Sequence, residues 1–372
     1  MASQQIIDVE SLLQPISEDS PTGDDIREDR SATSQYQIIK SERNQARAAE
    51  RQSIHDGEST EAAQHWQKIT ELAPQIIQEN SKDLEVASWY AEAMIRRYGF
   101  AGLRDAFSLI QGLLENFWEN LHPMPDEYGI ETRVSCLSGL NGEGAEGVMI
   151  APIRKVQLTE GENPGPYSLW QYHQALDIQK APDEEARQAK IASLGFDLDE
   201  IDKSVTQSSE TFYVDIRDDI ESCIEIYKSV GLKLDELCGI HEAPPTRTIV
   251  EILTECLGVV NHIGKLKLPT EAGEVENDAG GESAGGENAG AAATQQVVVA
   301  KGPIANRDDA FKQLIEIAEF FRKTEPHSPV SYVLQKAVKW GNMPLGDLIN
   351  ELIPDNSSRE HFSELTGVEC EE

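Results

Sequence analysis

The chain has 372 residues and carries 32 Lys and Arg against 66 Asp and Glu, a net charge of −34. That length accommodates two or three domains, and that charge repels phosphate backbones and anionic lipid headgroups, which argues against nucleic acid as a partner. Cys136, Cys223, Cys238, Cys256 and Cys370 are widely spaced with no C-x-x-C pair, the pattern of free thiols in a reducing compartment.

The N-terminus, MASQQIIDVE, lacks a basic stretch followed by an apolar core, and no later run nears the ~18 apolar residues of a membrane span. A cytoplasmic chain without membrane insertion is expected. Residues 4–13 read as a short amphipathic helix, and PISEDSPTGDDIRED after it as a solvated loop. From Ser31 to Ile54 the pattern is polar and helix-favouring with few apolar anchors, predicting a weakly held helix. Trp66, Ile69, Leu72 and Ala73 form one face before Pro74, where that helix is expected to stop. Ser81 is placed as the next N-cap, ahead of a stripe from Leu84 to Ile95, and Gly99 as its C-cap. A wide apolar face runs from Leu103 to Leu121, ended by Pro123 and Pro125, and a further helix covers Ile130 to Leu140.

The segment from Thr159 to Pro166 is rich in Gly and Pro and reads as a hinge. Helical patterns resume over Ser168–Gln179, Asp183–Leu194, Ser209–Leu237 and Thr246–Leu266. From Pro269 to about Thr294 the chain is Gly, Ala, Ser and acid, too poor in apolar residues to fold, and is expected to be a flexible linker. Three more helices follow by their punctuation. Asn306 caps the first, with Arg322 and Lys323 in its last turn; Ser328-Pro329 opens the second, ended by Gly341; Pro344 and Pro354 bracket the third. The fold class expected is all-α: modular helical bundles over 1–160 and 166–268, a Gly/Ala/Glu-rich linker over 269–300, and a small helical oligomerisation domain over 301–372. A module that small usually needs a disulfide, a metal or self-association. It has one cysteine and no ligand cluster, while Ile317, Phe320 and Trp340 fall beside or off its apolar faces. These residues are the candidate oligomer interface.

Motifs for chemistry fail on their context. Gly142 to Gly147, GEGAEG, matches G-x-G-x-x-G, but a dinucleotide site needs a strand before it and a helix after it. Pro152 argues against that helix, and Glu143 and Glu146 would repel phosphate. DLDEID at Asp197–Asp202 lacks the Gly and Glu of a calcium loop and reads as an acidic helix start. His241-Glu242 is followed by Ala-Pro-Pro rather than a second histidine, and His122 reads as a hydrogen-bonding structural residue. No catalytic, metal or cofactor residue is assigned. An enzyme or regulatory adaptor with a dispersed site stays open beside an assembly scaffold.

The pattern as a whole resembles the ImpA-like family, the A component (TssA) of bacterial type VI secretion systems. The residues that carry the match are the PIS…SPTGDD stretch at Pro15–Asp25, GFAGL at Gly99–Leu103, FWENLHP at Phe117–Pro123, PIR at Pro152–Arg154, and TEPHSPVSYVL at Thr324–Leu334. The resemblance implies a non-enzymatic, modular scaffold with an N-terminal ImpA-like helical domain and a C-terminal domain that forms rings. It further implies partners among baseplate, membrane-complex, inner-tube and sheath subunits. The chain resembles the shorter members, which implies a baseplate-linked role.

Overall fold

The computed structural model describes residues 3–52, 59–239, 241–269, 307–324, 330–341, 343 and 348. It divides into two units, Met1–Asn277 and Asp278–Glu372, a division that falls within the stretch expected as a linker. The fold is all-α; among the described residues there are helices and isolated bridges but no strand.

The first unit is built on α4 (Leu84–Phe117), after α1 (Val9–Leu12), α2 (Gln35–Gln52) and α3 (Thr60–Glu79). Asp83, not Ser81, caps α4: its side chain accepts the Val86 amide, while Ser81 is held in an extended bridge to Gly23. Gly99 breaks the helical path at φ 58°, so α4 is two helical segments meeting at a kink only glycine makes without strain. Leu84, Ala87, Ala91, Leu103, Phe107 and Leu113 are fully buried, which makes this helix the axis of the core. A short 3₁₀ turn, Trp118–Asn120, follows it, then α5 (Glu131–Asn141) and α6 (Ile150–Lys155). Pro152 does not prevent α6, because it stands in the first turn, where the missing N–H has no intrahelical acceptor to serve.

Three further expectations need correction. The helix expected over 4–13 is only Val9–Leu12, because the amides of Ile6 and Ile7 go to the Asp105 carboxylate at 2.6 and 3.0 Å instead of to a helical turn. α3 runs through Pro74 to Glu79, since the next turn buries Ile76 and Ile77 against the core. α2 is not weakly held. Ion pairs and hydrogen bonds tie its inner side: Arg43 reaches the buried Glu92 at 2.6 Å, and Glu50 accepts from Arg96 (2.6 Å) and from Trp66 Nε1 (2.7 Å).

The second half of this unit comprises α7 (Leu169–Gln179), α8 (Glu184–Leu194), α9 (Leu198–Gln207), α10 (Glu210–Cys238) and α11 (Arg247–Ile263). Tyr213, Cys223, Tyr227, Val230, Leu253 and Val260 join the same core cluster as Phe107 and Leu113, and Tyr227 stacks on Phe107 with ring centroids 4.4 Å apart. Tyr167, Ala175 and Ile201 make a small separate cluster, and α8 buries none of its residues. The loop at 159–166 is packed rather than hinge-like. Thr159 Oγ1 accepts from the Tyr167 amide (2.9 Å) and from Ser204 Oγ (2.8 Å), and a Cβ at Gly165 would stand 2.5 Å from Ser204 Oγ.

The second unit contributes α12 (Arg307–Thr324) and α13 (Val330–Gly341), which pack on each other as a hairpin. Asn306 and the third helix expected between Pro344 and Pro354 lie outside the described residues, apart from Leu348.

Candidate assembly surface

The motifs that could have carried chemistry are structural. Gly142 and Gly144 have φ of 91° and 71°, and a Cβ at Gly147 would collide with the Leu140 carbonyl; these glycines close a turn after α5, with no strand before it. Asp197 caps α9, accepting the Glu200 amide at 3.1 Å. His122 is buried, with Nε2 3.3 Å from the Gly23 carbonyl. Burial pushes the Cys136 and Cys256 thiols up to about 12, far from reactive, and the described cysteines are all free. Among the described residues no group of His, Cys, Asp or Glu could hold a metal ion, and no helix is long and apolar enough to cross a membrane.

What remains is the surface of the hairpin. In α12, Ala318 is fully buried and Phe311, Leu314 and Phe321 are half-buried toward α13. A helix advances about 100° per residue, so Phe320 points away from the side Phe321 takes. Its ring meets Phe321 edge-on at 5.8 Å, yet it is 61% exposed, and Ile317, one turn earlier, is 44% exposed. Tyr332 (58%) and Val333 (62%) are exposed on the first turn of α13. Arg322 lies over the Tyr332 ring at 5.8 Å, which sets the C-terminal end of α12 beside the N-terminal end of α13.

Trp340 is placed otherwise. It is half-buried, with Lys336 Nζ 4.8 Å over its ring. The next residue, Gly341, is so close to Phe311 that a Cβ there would collide with the ring, so this end of α13 meets the beginning of α12. The structure therefore brings Ile317 and Phe320 together on one exposed side of α12 and places Trp340 at the opposite end of the hairpin. Periodicity missed Tyr332 and Val333. In α13 Ser331 and Val338 take the inward positions, which turns Tyr332 and Val333 outward.

A model of the N-terminal region of ImpA, type VI secretion system, matches residues 13–142. The type VI secretion system component TssA1 of Pseudomonas aeruginosa is 27% identical over 373 residues, spanning 98% of this chain and 100% of that protein. The solved N-terminal domain of the TssA component from Burkholderia cenocepacia, including its conserved ImpA_N region, superposes with a TM-score of 0.58 at 23% identity, covering 71% of this chain and 96% of that one. Residues 13–142 thus match the ImpA N-terminal region, and the chain as a whole is similar to TssA components of type VI secretion systems.

Two of the motifs that carry the resemblance, SPTGDD and FWENLHP, meet in the first unit. Gly23 of SPTGDD, at φ 70°, bridges to Ser81, and a Cβ on it would collide with the Asn80 carbonyl. His122 of FWENLHP bridges to Asp83. The two loops thus clamp the short extended segment between α3 and α4. At its centre Lys82 is fully buried, donating to the carbonyls of Leu12 and Ile77 at 2.8 Å each, and burial pushes its ammonium down to about 8. Arg27 spans Asp25, Asp83 and Glu85; burial opposes its charge, but Asp83 and then Glu85 hold its pKa above the ordinary value. In the same way GFAGL meets the end of α6, where a Cβ on Gly99 would lie 3.3 Å from Val156. These ImpA-like signatures build the fold.

Proposed function

We propose that this ImpA-like protein is a non-enzymatic scaffold of a bacterial type VI secretion system that multimerises into a ring through its C-terminal module. In this reading residues 1–160 and 166–268 form the arm, 269–300 the tether and 301–372 the ring. The ring links baseplate and membrane complex to tube and sheath assembly, on the cytoplasmic side and without membrane insertion. The observation that carries the proposal is the exposure of Ile317 and Phe320 on a hairpin with little core of its own. The likeness to TssA1 along the whole chain supports the secretion role. Interface aromatics commonly lose about 2 kcal/mol or more when cut to Ala, and in a closed ring the same defect recurs at every junction. Phe320→Ala combined with Ile317→Ala is therefore expected to give smaller species in sedimentation velocity with unchanged helical circular dichroism. Full-size assemblies from the double variant would remove these residues from the interface.

A further inference from the structure

In a chain of net charge −34, α2 is an exception: it carries Lys40, Arg43, Arg47 and Arg51 against Glu42 and Glu50. Both carboxylates are already engaged. Glu42 takes His65 (2.5 Å) and Lys68 (3.0 Å), and Glu50 takes Arg96 and Trp66. At about 100° per residue, Lys40, Asn44, Arg47 and Arg51 fall on one stripe of the helix. The neighbouring outward positions, Gln37, Ser41, Gln45 and Ala48, form with Lys40 and Asn44 a shallow hollow of ≈ 370 Å³ that contains no acid.

The outward cations are under-compensated. Arg43 and Arg47 share the single buried carboxylate of Glu92, at 2.6 and 4.0 Å. Burial, and then repulsion from Arg43, Arg96 and Arg51, pushes the Arg47 pKa down against the pull of Glu92. Lys40 and Arg51 have no ion-pair partner among the described residues. Of the three outward cations, Lys40 is seated over a ring, Tyr36 at 5.3 Å, while Arg43 and Arg96 behind them sit over Trp89 at 5.4 Å and Trp66 at 4.1 Å. Cations ordered in advance lose less entropy when a ligand binds.

We propose that the outward face of α2 docks an acidic segment of a partner protein, whose carboxylates complete the charge balance of Lys40, Arg47 and Arg51. From Lys40 to Arg51 the stripe is about 16 Å long, enough for a few carboxylates on one helix turn or loop. A long polyanion or an anionic bilayer would extend beyond it onto a strongly acidic surface, where repulsion reaches about 8–10 Å at physiological salt. This docking does not depend on the self-association of the C-terminal module.

Fluorescence anisotropy of a labelled oligo-glutamate peptide titrated with the full chain at low salt tests the proposal, with a short DNA duplex as the competing polyanion. Saturable, salt-sensitive peptide binding is expected. The exposed double reversal Lys40→Glu with Arg51→Glu should weaken it at least about tenfold, or ~1.4 kcal/mol, while the same charge change at Lys228 and Lys265 on the same unit leaves more than half of that loss unrealised. Circular dichroism accompanies each variant; if the reversal loses helicity, Lys40→Gln with Arg51→Gln replaces it and should weaken binding by a smaller factor in the same direction. Absence of peptide binding by the wild type, an equal loss from the control reversal, or tighter binding of DNA than of peptide would each overturn the assignment.

Discussion

The body between residues 3 and 269 and the C-terminal hairpin use their apolar residues in opposite ways. In the body, side chains from α3, α4, α10 and α11 meet in one continuous core, and its large aliphatic and aromatic groups reach zero exposure at many positions. In the hairpin the buried apolar side chains among the described residues are Ala318 and Val338, both small, while Ile315, Ile317, Phe320, Tyr332 and Val333 are turned outward. Burial of apolar surface is worth roughly 25 cal/mol per Å², so the body supplies its own stability, whereas the hairpin leaves much of that gain for a contact outside itself. The two regions should therefore fail differently: the body by unfolding, the hairpin by losing association.

The largest effect is expected where the two halves of the body are joined by buried charge. Arg104 on α4 donates to Asp219 on α10 at 2.5 Å and to Asp105 at 2.8 Å, and both Asp219 and Asp105 also accept from the N-terminal segment at Ser3, Ile6 and Ile7. Asp219→Ala leaves a buried guanidinium short of a partner and frees the Ser3 anchor, so a loss of about 3–5 kcal/mol is expected in urea unfolding. Asp177→Ala, which removes an exposed pair with Lys180, is the matched control and should leave the midpoint unchanged. Equal midpoints for the two variants would mean that α10 is not tied to α4 by this pair.

That junction marks the limit of what the sequence could show. Helix positions, the positive φ at Gly99 and the Asp197 cap follow from local rules, and they were legible because each depends on a few neighbouring residues. Arg104 and Asp219 are 115 residues apart, and no periodicity pairs them. The firmness of α2 was hidden for a related reason: apolar patterning ignores Arg43, Glu50 and Glu92, which hold the helix from its inner side. At the candidate assembly surface, Phe320 and Ile317 could be singled out by angle alone. The separation of Trp340 from them could not, since it depends on how α13 folds back on α12.

A smaller effect with a distinct pH signature is expected at Lys82. Lys82→Met strands the carbonyls of Leu12 and Ile77, at about 1–3 kcal/mol near neutral pH. In the folded wild type the ammonium is lowered from 10.5 to about 8. Between these values the unfolded chain holds a proton that the folded chain has released, so the unfolded state binds more protons and stability rises with pH. The neutral amine keeps two hydrogens and can still serve both carbonyls. The stability difference between wild type and Lys82→Met should thus widen from about pH 8 toward 10, with other titrations common to both proteins cancelling. A difference that stays flat or narrows across that interval would contradict burial of the charged form.

The smallest effect on folding is expected in the hairpin, and the separation of Phe320 from Trp340 sharpens it. Phe320 is 61% exposed and its ring leans edge-on against Phe321, so Phe320→Ala removes little buried area and should leave the thermal midpoint of the body and the helical signal unchanged. Its effect should appear in mass: a shift to smaller species in light scattering that is relieved as protein concentration rises, because the loss is one of association. Trp340 is half-buried beside the Phe311–Gly341 contact, with Lys336 over its ring. Trp340→Ala should therefore first reduce the helical signal of the hairpin, and reduce association only as a consequence. Lys336→Ala, which removes the cation over the indole, should reproduce a weaker form of the Trp340 defect and not the Phe320 one. If Trp340→Ala instead lowers mass with helicity intact while Phe320→Ala changes neither, the subunit contact lies at the Phe311 end of the hairpin, and the exposed Ile317 and Phe320 serve another partner.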